Sequence, residues 1–124
     1  MTIAGLFITI STQFGLPQGL LSSLCFVESN HNPQIVHYND GIGDSIGICQ
    51  IKYSTAQWLG FEGTEEELFR PEVNIYYAAA YLRHQIDRYG SVGKGVIAYN
   101  MGSAKQLTST KYQVKVFEIW RQQR

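Results

Sequence analysis

Residues 25–52 read CFVESNHNPQIVHYNDGIGDSIGICQIK, and both the fold and the chemistry turn on this stretch. It opens as the end of an apolar segment, passes a lone acid, Glu28, and breaks at Ser-Asn-His-Asn-Pro. Pro33, Gly41, Gly43 and Gly47, mixed with Asn, Asp and Ser, make residues 29–49 a structured loop. Loops of about twenty residues in a compact domain usually carry function. An acid at the end of an apolar segment is poised for desolvation, which suits a carboxyl group to acid–base work. The plain alternative is a glutamate that faces solvent.

Upstream, Leu20, Leu21, Leu24, Cys25 and Val27 recur at helical spacing, and Pro17 is expected in the first turn of that helix. Glu28 then falls in the last turn, where the helix dipole disfavours an anion, so its presence invites a functional reading. Residues 1–16 put Ile3, Leu6, Phe7 and Ile10 on one helical face. They lack a basic leader and a small-residue cleavage site, so no signal peptide is evident. The run is also too short to span a bilayer.

Downstream, a short helix is expected from Ser54 through Ala56, Trp58 and Leu59 to Gly60. Thr64 with Glu67 fits a capping box. Pro71 opens the longest helix and Gly90 stops it. Arg83, His84, Asp87 and Arg88 on that helix read as a solvated face, and His84 is given no role. A further helix runs from Val92 to Asn100-Met101-Gly102, and residues 110–122 make a last one with Tyr112, Val116, Ile119 and Trp120 turned inward. No alternating segment of useful length marks a strand. The expectation is one domain over residues 1–124, all-α or mostly α.

Composition narrows the chemistry. The chain has 124 residues and is 44% hydrophobic, enough for a single packed core. Ten basic and ten acidic residues cancel, which argues against a nucleic-acid or anionic-membrane footprint. The eight Tyr, six Phe and two Trp are generous for this size; most serve a core, but they also supply flat faces for sugars. Histidines 31, 37 and 84 have no partners at metal-ligand spacing, so no metal or other cofactor is expected. Cys25 and Cys49 are compatible with one bridge and equally with two buried thiols. A thiol enzyme built on Cys49 and His37 lacks any activating cation beside the sulfur. Acid–base work by Glu28 in a groove of aromatics and amides remains, and glycoside cleavage is the reaction class that uses such a site.

Three motifs in order then resemble the lytic transglycosylases of the soluble-lytic-transglycosylase (SLT) type, a lysozyme-like superfamily that cuts peptidoglycan. Glu28-Ser29 with Asn32-Pro33 resembles the family's E-S-x-x-N-P, Gly47-Ile48-Cys49-Gln50-Ile51 its G-[LIV]-[MC]-Q-[IVL], and Ala98-Tyr99-Asn100-Met101-Gly102 its A-Y-N-x-G. Tyr112 to Val116 is similar to a Tyr-Val-x-x-Val segment, with Gln113 where Val is usual. The resemblance implies a lysozyme-like domain of short helices around a substrate groove. It implies Glu28 as sole catalytic acid and base, forming a 1,6-anhydromuramic acid product. Gln50 and Asn100 would bind sugar, Tyr99 would orient Glu28 or substrate, and Tyr112 joins them as a substrate-binding candidate. A serine of the long loop contacts substrate in relatives; Ser45 is the candidate here, with His37 and Asn39 as rivals. Without the resemblance, Tyr99 and Asn100 read as a helix end and Gln50 as an amide that satisfies its own loop.

Two other functions compete. A hydrolysing lysozyme of the goose type needs a second carboxylate, and Asp40 or Asp44 in the loop is the candidate. The residue two beyond Gln50, where one such acid would fall, is Lys52. A catalytically silent wall-binding component of a phage tail or secretion apparatus is the rival from another class. The expected partner is the peptidoglycan strand, met by a monomer at the cell wall or in the periplasm, without membrane insertion. A phage-delivered or lysis-associated enzyme, such as an endolysin, fits this setting, as does a secretion-system accessory.

Overall fold

A computed structural model describes residues 1–38, 43–104 and 108–123. The described residues form six α-helices and one small sheet, and the helices fall close to where periodicity and caps put them. Helix α1 (Ile3–Gln13) is capped by Thr2, whose hydroxyl accepts from the Gly5 amide. Helix α2 (Leu20–Ser29) starts later than expected. Pro17 lies in the turn before it, because Gly19 adopts φ 86° and a left-handed residue cannot continue a helix back to Pro17. At its other end Asn30 and His31 are both left-handed, which ends α2 at Ser29.

The loop folds back as three antiparallel strands of two residues each: β1 (Val36–His37), β2 (Ser45–Ile46) and β3 (Ile51–Lys52). Ile46 pairs with Val36 on one side and Ile51 on the other. The small sheet sits within the expected mostly α architecture, and its strands of two residues each are too short to show an alternating pattern in the sequence. Helix α3 (Tyr53–Trp58) follows directly. The capping box forms: Thr64 Oγ1 accepts from the Glu67 amide and Glu67 Oε1 from the Thr64 amide, opening a 3₁₀ turn at Glu66–Phe69. Ile46 and Ile51 of the sheet pack together with Ala56 of α3 and Leu68 of the 3₁₀ turn.

Helix α4 (Pro71–Tyr89) is the axis of the larger cluster, with Ile75, Ala78, Ala79 and Leu82 fully buried. It is capped by left-handed Gly90, as its sequence predicts. Helix α5 (Val92–Met101) crosses it closely: a Cβ at Gly95 would come 2.4 Å from Ile86 Cγ1. Helix α6 (Lys111–Gln122) is capped by Thr110 and closes against α2. Among the described residues no helix is long and apolar enough to cross a membrane.

Cys25 and Cys49 form a disulfide, Cα–Cα 4.4 Å, which decides between the two readings of the cysteines. It ties the last turns of α2 to the segment between β2 and β3. Cross-linking across 24 residues restricts the unfolded chain, so reduction should lower the free energy of unfolding by about 3 kcal/mol. Urea titrations with and without dithiothreitol measure this; coincident curves would refute it.

Candidate active site

Residues 47–50 are where helices α2, α4 and α5 all take hold of the loop. Beside the disulfide, Ser29 Oγ on α2 donates to the Ile48 carbonyl at 2.6 Å. Asn74 on α4 accepts from the Cys49 amide at 2.9 Å and donates to the carbonyls of Ile46 and Leu68. The Tyr99 hydroxyl on α5 donates to the Cys49 carbonyl at 2.7 Å. Gly47, at φ 81°, is required here, because a Cβ would come 2.5 Å from Asn74 Nδ2.

Held this way, Gln50 is forced to φ 55°, a conformation that few non-glycine residues adopt. Its Nε2 donates to the carbonyls of Ile35 and Gly47, at 3.0 and 2.9 Å. Both amide hydrogens are thus spent on the loop. Its Oε1 is buried without a partner among the described residues. The plain reading of Gln50 as a loop-satisfying amide accounts for the nitrogen and leaves the oxygen over. An unpartnered acceptor is costly unless something brings a donor.

Glu28 is half-buried in the last turn of α2, and Tyr112 on α6 donates to its Oε2 at 2.6 Å. Burial is the main reason that the Tyr112 hydroxyl titrates well above the usual tyrosine range, and the adjacent Glu28 carboxylate pushes it further. Burial and then Glu28 do the same for Tyr99. Both phenols therefore keep their protons, and Tyr112 remains a donor to the acid across the neutral range.

Glu28, Ser45, Gln50, Tyr99 and Asn100 line one cavity of about 270 Å³, and Lys52, Thr55, Tyr81 and Gly102 are among the other residues of its wall. Asn100 is still inside α5 and exposed, since the left-handed cap is Gly102 two residues later. Tyr99 holds the loop through its hydroxyl, whereas Tyr112 contacts the acid and does not line this wall. Among the described residues lining the cavity, Glu28 is the sole acid. Asp44 does not line it, and Asp40 and Asn39 lie outside the described residues. Glu28 also lines a second cleft, with Phe26, Ile35, His37 and Lys115, so the acid stands between two openings. Asn74 and Tyr81 went unread in the sequence. A lone Asn beside Val73 and Ile75, at a buried helical position, was the available signal for the first.

The phage PRD1 protein described as Transglycosylase is 34% identical over 93 residues, a match covering 75% of this chain and 32% of that one. The lytic transglycosylase Slt of Pseudomonas aeruginosa, solved as an inactive mutant, superposes with a TM-score of 0.72 at 19% identity. That superposition covers 94% of this chain and 21% of Slt, and at such low identity it speaks for the fold alone. The chain spans about a third of the phage relative's length and about a fifth of Slt's. The fold is accordingly that of a lysozyme-like lytic transglycosylase domain. The sequence profile of the Transglycosylase SLT domain matches residues 5–120, and with nearly the whole chain inside it, this protein belongs to that family.

Proposed function

We propose that the chain is a peptidoglycan lytic transglycosylase, cleaving the β-1,4 bond between N-acetylmuramic acid and N-acetylglucosamine with Glu28 as its single acid and base. The observation that carries this reading is the pairing of one carboxyl group, braced by Tyr112, with a cavity whose described lining holds no second acid. Protonated Glu28 gives its proton to the glycosidic oxygen as the C1–O bond breaks. The resulting carboxylate takes the proton from the muramoyl C6 hydroxyl, whose oxygen bonds to C1 and yields the 1,6-anhydro sugar. The substrate's acetamido group stabilises the intermediate, so no second carboxylate has to supply charge. Gln50 Oε1 accepts from a sugar N–H or O–H, while Ser45 and Asn100 contact substrate at the wall. The enzyme works as a monomer at the cell wall, reached from a phage virion or during lysis.

The hydrolytic alternative needs a second carboxylate about 5–9.5 Å from Glu28. Lys52 on the cavity wall and the absence of Asp44 from it weigh against that alternative. Mass spectrometry of digested peptidoglycan tests the choice: anhydromuramic ends are expected, and reducing muramic ends would establish hydrolysis. Tyr112→Phe removes a hydrogen bond to a charged group, and kcat should fall about tenfold or more with the circular dichroism unchanged. An unaltered kcat would mean that the contact plays no part in the reaction.

A further inference from the structure

A cleft of about 480 Å³ opens beside the cavity, sharing no lining residue with the one formed by Phe26, His37 and Lys115. It shares Thr55, Tyr81 and Gly102 with the cavity, so the two are continuous. Its rim carries Trp58, 64% exposed, which is unusual for so large an apolar side chain. His84 on α4 meets the indole edge-on, with ring centroids 4.8 Å apart and planes at 77°, which steadies the Trp while leaving a face to solvent. Gln85, also on the lining, is 2% exposed, and its Oε1 has no partner among the described residues. Arg88, on the same lining, donates to the Gly102 carbonyl at 3.3 Å.

We infer that Trp58 and Gln85 form an outlying saccharide subsite, which takes an N-acetylated hexose of the same glycan strand several units from the scissile bond. An amphipathic ligand is required: one apolar face to lie on an exposed indole, and hydroxyl or amide donors for a buried acceptor. A pyranose ring with equatorial substituents offers both. A purely apolar partner would leave Gln85 Oε1 unsatisfied, and an anion would bring no donor to it. Continuity with the cavity selects a polymer that is already held at Glu28. This inference rests on the reading of the cavity as a glycan site.

Titration calorimetry with the N-acetylglucosamine trimer and hexamer, on the uncleaving Glu28→Gln protein, tests it. The hexamer should bind about tenfold more tightly than the trimer, the scale of one good aromatic contact. Trp58→Ala should bring that ratio close to one, Trp58→Tyr should retain most of it, and Val114→Ala on α6 should leave it intact. Gln85→Met, which keeps volume and removes the acceptor, should lower the ratio as well. A ratio that survives Trp58→Ala overturns the subsite while the cavity reading stands. If neither oligomer binds the parent protein, the cavity reading fails and takes the subsite with it.

Discussion

Glu28→Gln is expected to abolish cell-wall cleavage, lowering the rate by about a thousandfold or more. The change is nearly isosteric, and the amide oxygen still accepts from the Tyr112 hydroxyl, so the packing behind the acid is retained. What is lost is the transferable proton. No other acid among the described residues lines the cavity to replace it. Release of soluble muropeptides measures the rate, and circular dichroism with thermal unfolding confirms that the fold is kept. Full activity in a folded Glu28→Gln protein would mean that another group supplies the proton, and wall binding without cleavage by the parent protein would turn the reading towards a catalytically silent component.

The second large effect falls on stability. Asn74→Ala should cost about 4 kcal/mol, a substantial share of the roughly 5–15 kcal/mol that holds such a domain together. Asn74 is fully buried, and its one side chain satisfies the Cys49 amide and the carbonyls of Ile46 and Leu68. Truncation leaves three backbone groups without that partner in a place that water does not reach freely. It also frees the segment that presents Gln50, so activity should fall further than the unfolded fraction explains. Urea denaturation reads the first effect, and kcat at saturating substrate without denaturant reads the second. A loss under about 1 kcal/mol would mean that the loop finds other partners.

Much of the helical frame was legible because each helix carries its own punctuation: Pro71 and Gly90 bound α4, and Thr110 caps α6. Pro17 is the exception, because Gly19 looks neutral in sequence and only its left-handed backbone shows the break. The strands were illegible for want of length. Of the site, Glu28, Gln50 and Tyr99-Asn100 come from motifs far apart in the chain, and the structure gathers them around one cavity. Tyr112 reads as an inward aromatic, and nothing in sequence tells a core tyrosine from one whose hydroxyl reaches an acid on another helix. The pairing of Cys25 with Cys49 depends on the angle at which α2 meets the loop, a tertiary quantity that spacing does not encode.

Gln50 has a consequence for how variants of this chain would sort under selection. Its left-handed backbone carries a strain of about 1 kcal/mol or more, which glycine at that position would relieve. Glycine would also remove the two hydrogen bonds that Gln50 Nε2 donates to the Ile35 and Gly47 carbonyls, which offsets the relief of strain. A library selected only for heat resistance should therefore show little preference for it, while a library selected for wall cleavage should reject it, because the acceptor goes with the side chain. Where only the second selection discriminates at a residue, chemistry and not stability keeps it there, and the divergence itself marks the site.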